Sequence, residues 1–255
     1  METAWSKRFE EFFPGTGGAQ ETGPPDTYTN PGAHYSLNVP LKDGIDDEQY
    51  TSLFRNITGA CIQDFDPSAI VLQCGADSLG GDRLGKFNLN ITAHADCVDY
   101  VKSQCHDRKL LIIGGGGYTP RNVARAWCHE TALCTENKLP ANLPDNIPFR
   151  QAFEGEAKGD GVLLPNLSHL NLRHPNEHTP IYLQGLENNI LTQLRYIQGA
   201  PSVCMQQIPR DHVKIREEAE ARCKEEGEDY DREEAEERRV KLEKNLGGRR
   251  EYRGI

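Results

Sequence analysis

Two short apolar runs, each ending in a glycine-bearing turn, constrain this chain more than any other feature. Ala69-Ile70-Val71-Leu72-Gln73-Cys74 leads into Gly75-Ala76-Asp77-Ser78, and Leu110-Leu111-Ile112-Ile113 leads into Gly114-Gly115-Gly116-Gly117-Tyr118. Runs of this kind read as parallel strands buried on both faces. Ile91 to Gln104 lies between them with the length of a crossover helix, and Arg121 to Cys134 can form another after the second loop. Strand alternating with helix gives an α/β fold with a parallel sheet. Sites in such sheets lie beyond the carboxyl ends of the strands, so position alone nominates Asp77 and Tyr118.

The rest of the chain is organised around that unit. Asp46 to Phe65 places Tyr50, Leu53, Phe54, Ile57, Cys61 and Ile62 at helical spacing behind an acidic start, a helix with one inward face. Pro14 to Lys42 is rich in Gly, Pro, Thr and Asn and reads as a long loop. After Leu139 the pattern is irregular until a helix at Ile181 to Tyr196. From about Asp211 the sequence is dominated by Glu, Arg and Lys. We therefore expect a folded domain over 1–209 and a charged, helical or disordered tail over 210–255.

Composition narrows the function classes. No apolar stretch approaches the roughly 18 residues needed to span a bilayer, which points to a soluble protein of the nucleus or cytoplasm with no membrane partner. A formal net charge of -10 argues against direct nucleic-acid binding by the chain as a whole. The eight cysteines form no C-x-x-C pair, so they read as free thiols rather than a zinc knuckle or redox motif.

Several residues could carry chemistry, each with a plainer alternative. Asp77, directly after a strand, reads as a cap or turn residue or as a hard oxygen ligand for a metal. Ser78 and Asp82 are candidates for turn chemistry. The glycines at 114–117 let main chain approach a ligand closely, but they lack both the G-x-G-x-x-G pattern and the P-loop lysine. Tyr118 stands where its hydroxyl could donate to a developing oxyanion. His94 and His129 fall on helices and read as packing or surface histidines, and His169, His174 and His178 cluster in a loop-like stretch.

Four stretches, in order and in spacing, resemble class I histone deacetylases. They are FFPGTG at Phe12 to Gly17, LNVPLKDGIDD at Leu37 to Asp47, VLQCGADSLGGDRLGKFNL at Val71 to Leu89, and LIIGGGGYTPRNVAR at Leu111 to Arg125. The resemblance is dense from about Phe12 to Thr131 and looser through Pro209. It implies the arginase/deacetylase α/β fold and zinc-dependent hydrolysis of N-acetyl-lysine in nuclear transcriptional repression. It further implies Asp77 as a zinc-binding aspartate and Tyr118 as the oxyanion-stabilising tyrosine. Phe13 would form a wall of the lysine tunnel, Leu84 its rim, and Gly116 and Gly117 the lining beside the acetyl pocket. Arg83 and Arg121 match arginines that bind an inositol phosphate at a corepressor interface, against surface ion pairing as the plainer role, and Tyr35 resembles a residue of a potassium site. Acetylated histone tails or other acetylated proteins and corepressor subunits are the partners so implied.

One part of the family pattern has no match. The Asp-x-His pair that supplies further zinc ligands and the adjacent histidines that supply the base lie before the F-P-G-T-G motif in that family. None of the eight histidines here is in a His-His pair or an Asp-x-His arrangement. A catalytic zinc site needs about three protein ligands. We therefore expect a domain truncated on its N-terminal side and inactive by itself, with the divergent Met1 to Phe9 as a shortened start. Two other readings stand beside it: a non-catalytic corepressor-interaction module, and an unrelated phosphate binder using the 114–117 loop.

Overall fold

The computed structural model describes residues 2–7, 17–23, 33–169 and 174–197. Phe13 and all residues from 198 onward, including the expected boundary at 209 and the charged tail over 210–255, lie outside them. Four strands and four helices make up the regular structure of the described residues. Strand β1 (Glu2–Lys7) pairs in parallel with β2 (Ser36–Leu41), from Glu2 against Ser36 to Lys7 against Leu41. Helix α1 (Asp47–Phe65) follows, and β3 (Ala69–Cys74) pairs in parallel with β4 (Lys109–Gly114) across α2 (Ile91–Gln104). Helices α3 (Pro120–Cys134) and α4 (Pro180–Leu194) complete the set. Parallel strands joined through a helix make this an α/β fold, as the strand–helix alternation leads one to expect.

Local chemistry explains the boundaries. The Asp46 side chain caps α1 by accepting from the Gln49 N–H at 3.0 Å, and Asp47 and Glu48 sit favourably in its first turn. Asp66, in the left-handed region at φ 47°, ends the helix by donating its N–H to the Ile62 carbonyl. The buried face of α1 is Tyr50, Leu53, Phe54, Ile57, Cys61 and Ile62, the set its periodicity nominates. Helix α1 packs against α2 and α4, and α2 against α3. The core between them holds Leu37, Val39, Leu41, Ile57, Val101, Ile190 and Leu194. No helix among the described residues is long and apolar enough to cross a membrane.

Two expectations are corrected. The stretch read as one loop from Pro14 to Lys42 contains β2, whose Leu37, Val39 and Leu41 are fully buried. Asn38 and Pro40 disguise it. Asn38 is buried yet satisfied, donating to the carbonyls of Gly18 at 2.9 Å and Glu21 at 3.3 Å, while Pro40 has no ladder N–H to give and instead accepts the Tyr182 hydroxyl at 2.7 Å. The second correction concerns β3 and β4, which are not buried on both faces. Ile70, Leu72 and Leu110 pack on the core, but Val71 and Leu111 on the opposite face are 63% and 57% exposed. Among the described residues only one side of this strand pair is covered, so half of each apolar run meets solvent.

Candidate active site

The carboxyl ends of β3 and β4 bring the two glycine-bearing loops into direct contact. After Cys74 the chain turns through Gly75 into a 3₁₀ turn, Ala76–Ser78, and the Ala76 N–H donates to the Gly116 carbonyl at 2.7 Å. Asp77 sits in that turn, half-buried, with its carboxylate laid over Gly116. A Cβ on Gly116 would collide with the carboxylate, standing 2.7 Å from its Cγ. Gly117, at φ 139°, adopts a conformation that L side chains rarely take. These two glycines are therefore required by the close approach of Asp77 and by backbone conformation respectively.

Tyr118 follows at once and is 42% exposed. Its N–H donates to Asp82 Oδ2 at 2.7 Å, and Asp82 Oδ1 accepts from Leu84 N at 2.9 Å and Gly85 N at 2.8 Å. Leu84 and Arg83 are exposed at the tip of this turn. The structure thus brings together Asp77, Gly116, Gly117, Tyr118 and the turn that carries Leu84. Asp82 does form the turn its residue type suggests, and it also reaches across to the second loop.

Beneath the loops lies a buried pair. His94 on α2 has Nδ1 2.5 Å from Glu130 Oε1 on α3, and its Nε2 is 3.1 Å from the Gly75 carbonyl. Trp127 donates its indole N–H to the Cys74 carbonyl at 2.8 Å, so α3 also clamps the end of β3. Two arginines lie one turn apart on α3. Arg121 is half-buried, with its buried Nε lacking a hydrogen-bond partner among the described residues. Arg125 is fully buried, donates from Nε to the Val162 carbonyl at 2.8 Å, stacks over Phe153 at 4.9 Å, and has no hydrogen-bond partner among the described residues at either terminal nitrogen. Burial, with Arg121 nearby, pulls the Arg125 guanidinium down to about 10. Tyr35 is half-buried just before β2 and meets Phe65 edge-on at 6.0 Å.

The donor set for a metal is sparse. Among the described residues no three His, Cys, Asp or Glu side chains gather closely enough to hold an ion. Cys74 and Cys97 are each pushed up to about 12, chiefly by burial. His178 is committed elsewhere: Nε2 accepts from the Lys42 N–H at 2.9 Å and Nδ1 faces Asn176 Oδ1 at 3.0 Å.

Residues 5–134 match the histone deacetylase domain. The chain belongs to the histone deacetylase family. Histone deacetylase B of Dictyostelium discoideum is 43% identical over 215 residues, covering 84% of this chain and 48% of that protein. Histone deacetylase 9 of Arabidopsis thaliana is 44% identical over 212 residues, 83% of this chain and 46% of its own length. Histone deacetylase 1 of Homo sapiens is 43% identical over 206 residues, 81% of this chain and 39% of its own length. The chain spans less than half the length of each of these relatives. The resemblance carried by the four sequence stretches is thereby borne out, and with it the arginase-like α/β architecture.

Within this chain, three features escape sequence reasoning. The bond from Asp82 to Tyr118 and the pairing of His94 with Glu130 each join residues 36 positions apart, and no local pattern signals them. His94 reads as a packing histidine from its helical position and is one, but one whose two ring nitrogens are both engaged. Arg125 is the third, since arginine on a helix is ordinarily an exposed residue. Its i,i+4 spacing from Arg121 is a signal only once the inward face of α3 is known.

Proposed function

We propose that this chain contributes one wall of an N-acetyl-lysine deacetylase active site, acting on acetylated histone tails or other acetylated proteins in nuclear repression. In this reading Tyr118 donates its hydroxyl to the oxyanion of the tetrahedral intermediate and Asp77 supplies a carboxylate ligand to zinc. Leu84 stands at the rim of the tunnel for the lysine stem, and Gly116 and Gly117 leave room beside the acetyl group; Phe13, outside the described residues, keeps the tunnel-wall role only as what the resemblance implies. The observation that carries it is the seating of the Asp77 carboxylate against Gly116, next to a Tyr118 whose main chain is fixed by Asp82, in a member of the histone deacetylase family.

The residues present do not fit a complete zinc centre. A catalytic site takes about three protein ligands and an open position, and the described residues bring one carboxylate to the place. No step of the reaction is therefore assigned through a metal in this chain, and the chain by itself is inactive on this reading. Addition of a polypeptide carrying the preceding part of a histone deacetylase domain tests it. Turnover of an acetyl-lysine peptide should appear and be lost with Tyr118→Phe or Asp77→Asn. Turnover indifferent to both substitutions would remove these residues from the site.

A second reading, a corepressor-interaction module that binds an inositol phosphate, is favoured by one observation. Arg121 holds a buried Nε with no hydrogen-bond partner among the described residues, and Arg83 is exposed on the turn beside Leu84, a donor set suited to a polyphosphate. Inositol phosphate-dependent capture of a corepressor subunit by the wild type but not by the double variant Arg83→Ala/Arg121→Ala would support it. Equal capture would end it. Potassium at Tyr35 remains an implication of the resemblance alone.

A further inference from the structure

Asp82 is only 5% exposed, a burial that an aspartate tolerates when its oxygens are fully engaged. A carboxylate accepts hydrogen bonds and donates none, and among the described residues the donors to the Asp82 carboxylate are the main-chain N–H groups of Leu84, Gly85 and Tyr118. Two of them, Leu84 and Gly85, close a local turn two and three residues on. The third, from Tyr118, is not needed for that turn. It ties the turn to the loop that follows β4. Gly85 adds a further constraint, because a Cβ there would run into the main-chain carbonyl of Asp77 and stand 2.7 Å from its carbon. The far end of the Asp82 turn is thus pressed directly on the Asp77 backbone.

We propose that Asp82 is a positioning residue of the candidate active site, whose carboxylate holds the segments bearing Leu84, Asp77 and Tyr118 in one mutual geometry. The proposal rests on the reading of Tyr118 and Asp77 as site residues given above. The charge-assisted acceptor is essential to it. A carboxamide has a single oxygen and would turn its NH₂ toward at least one of the three N–H groups, so Asp82→Asn cannot serve all of them. Three other bonds join the same segments without Asp82: Ala76 N–H to the Gly116 carbonyl at 2.7 Å, Thr119 Oγ1 to the Gly81 carbonyl at 3.0 Å and Asn122 Nδ2 to the Gly80 carbonyl at 3.4 Å. The loops therefore stay neighbours when the carboxylate is removed. What is lost is the fixed orientation of the main chain at Tyr118.

The test is a comparison of amide spectra and exchange rates for the isotopically labelled full chain, its Asp82→Asn variant and its Thr119→Val variant. In the wild type a scalar coupling across the hydrogen bond should connect Tyr118 N to the Asp82 carboxyl carbon. In Asp82→Asn the amide protons of Leu84, Gly85 and Tyr118 should all move upfield, and the Tyr118 amide should exchange roughly tenfold faster. Amides of Ile57 and Cys61 in α1 should hold their rates. Thr119→Val, which removes a neighbouring tie but no carboxylate, should leave the three shifts in place. A Tyr118 amide that is unmoved while Leu84 and Gly85 shift would reduce Asp82 to a turn residue and overturn the proposal. Absence of the wild-type coupling would do the same even where the variant fails to fold. These readouts do not depend on turnover, so a negative deacetylation result would reject the functional reading and leave the Asp82 result standing.

Discussion

The buried His94–Glu130 pair allows a quantitative prediction. The Gly75 carbonyl can only accept, so His94 Nε2 donates to it at 3.1 Å, and Nδ1 faces Glu130 Oε1 at 2.5 Å. The two side chains are 11% and 4% exposed, so water does little to screen or replace the contact. Glu130→Leu strips the partner from Nδ1 and leaves a polar ring atom in the core between α2 and α3. Leaving a buried polar group without its partner costs about 1–3 kcal/mol. That is an appreciable share of the roughly 5–15 kcal/mol by which domains are stable. His94→Leu/Glu130→Leu removes both groups and should cost less than the sum of the single variants, with a coupling of about 1–3 kcal/mol. Urea unfolding followed by circular dichroism, run on the four members of the cycle, measures this. A loss under about 1 kcal/mol for Glu130→Leu, or strict additivity, would refute the argument that the pair is a coupled buried unit.

Three further outcomes follow from the same structure. Gly116→Ala should lower stability by about 1–3 kcal/mol, since the new Cβ displaces the Asp77 carboxylate, and an unchanged melting temperature would mean that this close approach does not exist. The His178 pKa is lowered first by burial and then by Lys42, while Asp46, Glu177 and Asp43 pull the other way. Its contribution should be complete above the unfolded value near ~6.5 and decline as pH falls below that through the lowered folded value, so His178→Gln should flatten the stability profile on the acid side of about pH 6.5. Finally, Cys128 is exposed while Cys74 and Cys97 are buried with thiols pushed up to about 12, so maleimide labelling read by peptide mapping should find Cys128 modified and the other two spared. Labelling of all three at one rate would contradict their burial.

What could be read ahead of the structure depended on the range of the interaction involved. Helix α1 was legible to the residue because its period, its Asp46 cap and its acidic first turn all lie within one stretch. Strands β3 and β4 were legible as parallel because each apolar run ends in a glycine loop with a helix between them. Their exposed faces were not, since an apolar run reports that residues prefer burial and not which layers are present to bury them. Strand β2 hid behind Asn38 and Pro40, whose roles depend on Gly18, Glu21 and Tyr182 far along the chain. The site divides in the same way. Asp77 and Tyr118 stand out from their position after strands, whereas the clamps beneath them, Asp82 to Tyr118 and His94 to Glu130, exist only once the chain has folded.

The central claim is that this chain presents one wall of a deacetylase site and not the whole of it. Zinc content of the purified chain by elemental analysis, measured together with deacetylation of an acetyl-lysine peptide and with Tyr118→Phe as control, tests it most directly. The account predicts no stoichiometric zinc and no turnover. Zinc-dependent turnover that disappears in Tyr118→Phe would contradict it and would mean that ligands and a base come from elsewhere in this chain.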